Sequence, residues 1–182
     1  AEAVVESLKK DSIIDLENSK HGRRHHTQQI QLIKILLDWW KETSKTNPEG
    51  TQSQIPFDKS SCFAEYGAGR AEFLHIINQF LGRLSRREAR KDGGEWDPSR
   101  GEPLFLAVDR DHPRRCFDRM FEDRRFHRIK CDIRDLDLLH AINSFQPQQQ
   151  PNTSKHLFLC SKHLCGPATD LTLQSLLNTL KA

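Results

Sequence analysis

The sequence lacks an uninterrupted apolar run of about 18 residues, which is the length that a transmembrane helix needs. It also lacks a secretory signal pattern, in which a basic start precedes a short apolar core. These absences predict a protein with no membrane span and no secretion signal, and we expect it inside the cell, in the cytoplasm or the nucleus. The chain does not start with methionine, so we expect it to begin inside a longer protein or a processed product.

The chain also lacks an even number of cysteines, which complete pairing in disulfide bonds would require. The chain carries five cysteines, most of them in or beside apolar segments: Cys62, Cys116, Cys131, Cys160 and Cys165. Reduced intracellular thiols explain that placement better than disulfide bonds do. The sequence also lacks a strong charge imbalance. Its formal net charge is +3, which is too weak to indicate nucleic-acid binding by itself.

The length of 182 residues is that of one domain with an additional segment. We predict an N-terminal helical segment and loop over residues 1–60 and an α/β domain over residues 61–182. Apolar residues at helical spacing predict helices over residues 1–18 and 28–41. The two adjacent tryptophans of the second helix are expected in the core.

Two segments of the chain are rich in basic residues. Residues 20–26 read Lys-His-Gly-Arg-Arg-His-His, and residues 85–102 combine arginine and lysine with glycine and proline. We interpret the second segment as an exposed insertion in the domain. Both segments are suited to contact RNA phosphates, and a solvated polar loop is the alternative for each. A metal site in the first is disfavoured, because no cysteine lies nearby and the adjacent His25 and His26 diverge.

A glycine turn stands at the centre of the chain. Residues 61–72 form an apolar run that ends in an acid, followed by two glycines one residue apart and then an amphipathic segment. This order is typical of the strand, turn and helix that hold a nucleoside cofactor. The dinucleotide fingerprint does not fit, because Glu72 takes the place of its third glycine. The pattern acid-x-Gly-x-Gly-x-small does fit, through Glu65, Gly67, Gly69 and Ala71. That pattern resembles the first motif of class I S-adenosylmethionine-dependent methyltransferases, and an ordinary turn without a ligand is the alternative.

Strands and helices alternate after residue 60, which predicts a parallel, doubly wound sheet. Further strands are expected over residues 104–108, within 126–133 and over 156–160, and helices over 113–122, 135–145 and 168–180. Polar residues stand at the ends of the four strands: Glu65, Asp109, Asp132 and Lys162. Ligands of such sheets bind at the carboxyl ends of the strands, and an acid after the second strand accepts hydrogen bonds from ribose hydroxyls. A solvent-facing aspartate is the alternative for Asp109.

Four strings carry a resemblance to a known family, and they occupy residues 65–70, 108–110, 131–138 and 162–171. Together they resemble the eukaryotic tRNA 2′-O-methyltransferase family that modifies the fourth nucleotide of the acceptor stem. The string Lys-His-Leu-Cys-Gly in the last segment is the most specific. The resemblance implies a Rossmann-like class I methyltransferase fold, S-adenosylmethionine as cofactor, tRNA as partner and methylation of a ribose 2′-hydroxyl.

The chain departs from the family pattern in two ways. Ala71 stands where the glycine turn usually has a third glycine. A class I sheet has seven strands, so a chain that stops after the fourth strand and its helix is expected to be the N-terminal half of the domain. We expect no metal in this chain, because the family's zinc-finger segments are missing from it.

The resemblance assigns two sets of site residues. Cofactor contacts are expected from Glu65, Tyr66, Gly67, Ala68, Gly69, Asp109, Arg110, Asp132 and Ile133. An acid just after the third strand of a methyltransferase typically faces the adenine amino group, which is the role expected of Asp132. Methyl transfer needs an aligned and partly deprotonated hydroxyl, and Lys162, His163 and Asp170 are the catalytic candidates by position. Lys162 is placed first, and His163 is a proton acceptor near neutral pH.

Several alternatives stay open at this point. The loop after the fourth strand could only shape the pocket, and the chain could be a catalytically silent RNA-binding or scaffold fragment with a methyltransferase-like fold. A nicotinamide-dependent enzyme is disfavoured by Glu72 and by the acid before the glycines. A zinc cluster of His156, Cys160, His163 and Cys165 is disfavoured, because His156 and Cys160 belong to a buried strand.

Overall fold

The computed structural model describes residues 22–45, 61–91, 103–111, 113, 117–121, 125–145, 156–162 and 164–181. The chain divides into two compact units. The first, the helical unit, comprises Ala1–Pro56 and Ile76–Pro98, and the second, the sheet unit, comprises Phe57–His75 and Ser99–Ala182. The helix expected over residues 1–18 lies outside the described residues.

Helix α1 of the helical unit runs over Gly22–Lys45. It is longer than the helix expected over residues 28–41, and it includes residues 22–26, for which a polar loop was one interpretation. The predicted apolar face is confirmed, because Ile30, Ile33 and Leu37 are buried. The expectation for the tryptophans is wrong for Trp39, whose exposed fraction is 44%.

Helix α2, Glu72–Lys91, begins in the sheet unit and continues into the helical unit. As expected for the amphipathic segment after the glycine turn, six of its apolar residues are buried, and they are Phe73, Ile76, Ile77, Phe80, Leu81 and Leu84. The helix continues seven residues beyond Leu84, so residues 85–91 are helical and not the loop expected there. Strong helix formers such as arginine, alanine and lysine explain this continuation. Residues 92–102 lie outside the described residues.

The sheet unit is built on four parallel strands in the order β3-β2-β1-β4. The strands are β1 Ser61–Tyr66, β2 Leu104–Asp109, β3 Phe126–Lys130 and β4 His156–Cys160. Strands β2 and β4 pair with opposite sides of β1, so the strand order reverses at β1. The predicted Rossmann-like α/β fold with a parallel sheet is confirmed, and the reversal creates the crevice in which such sheets bind ligands.

The segments between the strands differ from the predicted helices. Among the described residues of 113–122, the only helical turn is the 3₁₀ turn Asp118–Met120, where a longer helix was expected. A second 3₁₀ turn, Ile133–Asp135, follows β3, and helix α3 occupies Leu138–Phe145. The last helix, α4, occupies Pro167–Lys181.

Local hydrogen bonds explain why α3 begins later than residue 135. The Asp132 carboxylate accepts from the backbone N–H of Arg134 at 3.0 Å and caps a 3₁₀ turn, which the backbone bond from the N–H of Asp135 to the carbonyl of Asp132 closes. The Asp137 carboxylate accepts from the N–H of His140 at 2.8 Å, which caps α3. Two aspartates therefore divide one predicted helix into a turn and a shorter helix.

One face of the sheet forms an apolar core with α3. Alternate residues of β1 and β2 contribute to it together with two residues of α3, and the full set is Cys62, Ala64, Tyr66, Leu104, Leu106, Val108, Leu138 and Ile142. Helix α4 is tied to this face by a hydrogen bond between the hydroxyls of Tyr66 and Ser175, 2.9 Å apart.

Aromatic rings cover the opposite face of the same strands. Phe63 stacks on Phe105 and on Phe158, with ring centroids 5.6 Å and 4.7 Å apart. Phe121 contacts Phe105 at 5.3 Å and stacks on Phe126 at 4.3 Å. These rings hold the four strands and the first 3₁₀ turn as one packed layer. The described helices include none with the length and apolar character that crossing a bilayer requires.

The hydrogen bond between Tyr66 and Ser175 predicts a measurable stability effect. Tyr66→Phe should lower the free energy of unfolding by about 0.5–1.5 kcal/mol, because a buried hydrogen bond is lost while the ring stays in place. Ser175→Ala should cost a similar amount, and the double variant should cost little more than either single one. Urea denaturation of the four proteins measures this coupling, and strictly additive losses would contradict it.

Candidate functional site

The candidate site begins at the turn between β1 and α2. Gly67 and Gly69 have φ angles of 64° and 50°, in the left-handed region that glycine adopts without steric cost. The turn is tied to β2, because the N–H of Ala68 donates to the carbonyl of Val108 at 3.1 Å. A Cβ built at Gly69 would have no atom within 4 Å, so the space beside this backbone is open to a ligand.

Ala71 ends the same turn in an unusual conformation. Its φ angle is 57°, although it is not a glycine, and its side chain is fully buried. Its N–H donates to the carbonyl of Ala68 at 2.7 Å, which closes the turn. An L-residue in this region costs about 1–2 kcal/mol. The structure thus gives a backbone reason for the glycine that the family pattern has here.

Asp109, at the end of β2, is directly attached to the glycine turn. Its Oδ2 accepts from the N–H of Gly69 at 2.7 Å, and its Oδ1 accepts from the N–H of Asp111 at 2.9 Å. The carboxylate is only partly buried. Each carboxylate oxygen can accept more than one hydrogen bond, so Asp109 remains able to bind ribose hydroxyls while it holds the turn.

Glu65, the last but one residue of β1, is a buried acid with an exposed fraction of 2%. Burial raises its pKa from 4.5 to about 8, although a backbone hydrogen bond from Leu74 and the charges of Lys162 and Arg128 act in the opposite direction. Its Oε2 has no hydrogen-bond partner among the described residues. A buried acceptor without a partner is uncommon in folded proteins, and a ligand that brings a donor would satisfy it.

Lys162 lies at the end of β4, beside β1. Its ammonium Nζ is 3.8 Å from Oε2 of Glu72 at the start of α2, and both side chains are partly buried. Both residues also act electrostatically on Glu65: Lys162 lowers its pKa and Glu72 raises it. The structure therefore gathers Glu65, Lys162 and Glu72 at one edge of the sheet, as the carboxyl ends of neighbouring parallel strands require.

The other residues predicted to contact the cofactor are less clearly placed to do so than Glu65 and Asp109. The hydroxyl of Tyr66 is hydrogen-bonded to that of Ser175, so Tyr66 would contact a cofactor through its backbone. Arg110 is exposed. Asp132 is partly exposed and caps the second 3₁₀ turn, and Ile133 packs against the apolar core.

The remaining catalytic candidates are less well defined than Lys162. Asp170 lies in the first turn of α4 and is exposed. His163 lies outside the described residues. No group of three or more histidine, cysteine or acidic side chains that could hold a metal ion occurs in the described part of the chain.

Two residues of the site were missed by the sequence analysis. Arg128 of β3 donates through Nε and Nη2 to the two carboxylate oxygens of Asp118, each at 2.7 Å. Its Nη1 donates to the carbonyl of Gly69 at 2.9 Å. The available signal was an arginine within a predicted strand of the sheet, since a charge that becomes buried there is expected to be paired.

The chain is similar to a known protein family. The family described as Methyltransferase TRM13 matches it over residues 46–182. No solved structure matches the chain significantly.

Curated relatives bear the name tRNA:m(4)X modification enzyme TRM13. The protein of this name from Kluyveromyces lactis is 32% identical over 165 residues, which are 88% of this chain and 34% of that protein. The one from Scheffersomyces stipitis is 31% identical over 163 residues, 86% of this chain and 33% of that protein. The one from Yarrowia lipolytica is 36% identical over 131 residues, 66% of this chain and 25% of that protein. The chain thus spans about a third of the length of the first two relatives.

The conformation of Ala71 predicts opposite effects of two similar substitutions. Ala71→Gly should stabilise the protein by up to about 1 kcal/mol, because relief of the left-handed strain outweighs the greater freedom of glycine in the unfolded chain. The matched control Ala68→Gly should destabilise it by about 0.5–1 kcal/mol, because Ala68 is outside the positive-φ region. Urea denaturation measures both changes, and a destabilised Ala71→Gly variant would contradict the argument.

Glu65 predicts a pH dependence of stability. Its folded pKa, about 8, lies above the value of 4.5 expected in the unfolded chain. Its contribution to stability is therefore complete below pH 4.5 and is lost as the pH rises to about 8, at about 1.4 kcal/mol for each pH unit at most.

Glu65→Gln removes this titration, so the variant should lose less stability than the parent between pH 4.5 and about pH 8. Urea denaturation at several pH values measures the slopes. The control Asp170→Asn changes an exposed acid and should keep the parent slope. Equal slopes for the parent and Glu65→Gln would show that this carboxyl is not held protonated by burial.

Proposed function

The chain belongs to the TRM13 methyltransferase family, and on that premise we propose that it forms the cofactor-binding part of a tRNA methyltransferase. The proposed methyl donor is S-adenosylmethionine, and the proposed acceptor is the ribose 2′-hydroxyl of the fourth nucleotide of the acceptor stem. Because tRNA modification takes place inside the cell, the proposed location is intracellular.

One observation carries the cofactor assignment. Three features meet at the carboxyl ends of β1 and β2: the open glycine turn, the Asp109 carboxylate bound to Gly69, and the unpartnered oxygen of buried Glu65. S-adenosylmethionine carries ribose hydroxyls and an ammonium group, which are the donors that such acceptors lack. The residues present therefore fit the cofactor.

The proposed roles follow from the chemistry of each side chain. Asp109 accepts from the ribose hydroxyls, Asp132 from the adenine amino group, and Glu65 from a donor of the cofactor. The backbone of Gly67, Ala68 and Gly69 surrounds the cofactor. Tyr66, Arg110 and Ile133 are proposed as further cofactor contacts, because each is next in sequence to one of these residues. When bound, S-adenosylmethionine supplies a methyl group on a positively charged sulfur.

Lys162 is the proposed catalytic residue. Its ammonium is held by Glu72 and lies at the end of β4, next to the turn. From there its charge orients the acceptor hydroxyl and favours the partly deprotonated oxygen. His163 is the proposed proton acceptor, because a ribose hydroxyl must lose its proton as the new bond to carbon forms, and Asp170 is a further catalytic candidate by its position.

Binding and transfer are tested separately. Titration calorimetry with S-adenosylhomocysteine should show binding to the 182-residue chain, and Asp109→Asn should weaken it at least about tenfold, or about 1.4 kcal/mol. In a version of the chain extended at its carboxyl end, transfer of a tritiated methyl group to unmodified tRNA should be lost in Lys162→Met while binding changes by less than about twofold. The matched control Lys130→Met removes an exposed lysine at the end of β3 and should keep both activities.

Each negative outcome has a separate meaning. Failure to bind S-adenosylhomocysteine, or tight binding of NAD instead, would contradict the cofactor assignment. Cofactor binding without any transfer to tRNA in the extended version would favour the silent RNA-binding or scaffold alternative. Transfer that survives in Lys162→Met would remove the catalytic role from that residue.

A further inference from the structure

Arg128 is a buried arginine with no place in the proposed reaction. It lies on β3, and its side chain has an exposed fraction of 7%. Its guanidinium makes a two-pronged ion pair with Asp118 of the first 3₁₀ turn, with both distances 2.7 Å. A buried charge requires such a partner, since removal of one member of the pair is strongly destabilising.

The third hydrogen bond of Arg128 goes to the glycine turn. Nη1 donates to the carbonyl of Gly69 at 2.9 Å, while the N–H of the same residue donates to Asp109 at 2.7 Å. Gly69 is therefore held by a cation at its carbonyl and by an anion at its amide. Both partners are charged, and such hydrogen bonds are about twice as strong as those between neutral groups.

The 3₁₀ turn that anchors Arg128 is itself attached to the glycine turn. The N–H of Phe117 donates to the carbonyl of Arg70 at 2.9 Å, and the Arg70 guanidinium lies 5.1 Å from the centre of the Phe117 ring. The ring of Phe117 also stacks with that of His75 of α2, with 5.2 Å between ring centres. These contacts fix the position of Asp118 relative to the glycine turn independently of Arg128.

A glycine turn needs a constraint of this kind. Gly67 and Gly69 lack the side chains that restrict backbone rotation, so the turn has many accessible conformations in isolation. The backbone of the turn and the carboxylate of Asp109 bind a cofactor more tightly if their positions are set before binding. Arg128 acts on the carbonyl of the same residue from the side of β3.

We propose that Arg128, anchored by Asp118, is a positioning residue that holds Gly69 and thereby presents Asp109 and the turn in the conformation that binds the cofactor. This inference rests on the proposed function for its ligand, but the hold on Gly69 itself is a property of the free protein. Lysine cannot replace arginine in this role, because a single ammonium lacks the planar fork that bonds Asp118 at two oxygens and Gly69 at a third.

The first readout is the free chain in solution. In Arg128→Lys, amide hydrogen exchange measured by NMR should become at least about tenfold faster at Gly69, because the turn opens more often. Asp118→Asn is a second variant that keeps the arginine and weakens its anchor, and it should have the same effect. The control Ser175→Ala destabilises the same unit through the Tyr66 hydrogen bond and should not accelerate Gly69 selectively.

The second readout is affinity for S-adenosylhomocysteine. Arg128→Lys and Asp118→Asn should each raise the dissociation constant about tenfold, and the double variant should be no weaker than the weaker single one, since both act through one connection. Ser175→Ala should leave the dissociation constant unchanged.

The outcomes separate this inference from the proposed function. If the parent chain binds no S-adenosylhomocysteine, the proposed function fails, while the exchange at Gly69 still decides whether Arg128 holds the turn. Unchanged exchange at Gly69 in both variants would overturn the inference. Affinity losses in Arg128→Lys that are matched by Ser175→Ala would also overturn it, because they would show a general effect of stability.

Discussion

The hydrogen bonds on the two sides of Gly69 are the constraint on which the candidate site depends. Glycine restricts its backbone less than other residues do, so the conformation of Gly69 depends on its partners, Asp109 at 2.7 Å and Arg128 at 2.9 Å. These partners sit on β2 and β3, which pair in parallel register from Phe105 with Phe126 to Asp109 with Lys130. The geometry of the turn therefore depends on the pairing of β2 with β3, although neither strand contains the turn.

Burial outweighs charge at the other acid of the site. Lys162 and Arg128 both favour the ionised form of Glu65, yet its pKa is raised to about 8. Lys162 is itself paired with Glu72, so its charge is partly balanced before it acts on Glu65. The crevice thus combines a neutral carboxyl with a balanced ion pair. A positively charged ligand would favour the ionised form of that carboxyl, which is consistent with a sulfonium cofactor.

The strands and the acids at their ends could be predicted because both are local properties of the sequence. A continuous apolar run such as that of β2 has few alternatives to a buried parallel strand. The 3₁₀ turns were missed because they are single short turns, and only the second is marked by a local side-chain hydrogen bond, from the N–H of Arg134 to Asp132. Arg128 was missed because its partners lie 10 and 59 residues away, and only the folded chain brings them together.

The alternation of β1 has a consequence for how the chain must assemble. Glu65 and Tyr66 are neighbours, but Tyr66 points into the core with Cys62 and Ala64, while Glu65 shares the opposite face with Phe63. A slip of β1 by one residue would exchange the two faces. It would place a carboxyl group in the apolar core and separate the tyrosine from Ser175. The same two side chains that divide core from crevice in the native protein therefore favour the native register of β1 over a slip by one residue.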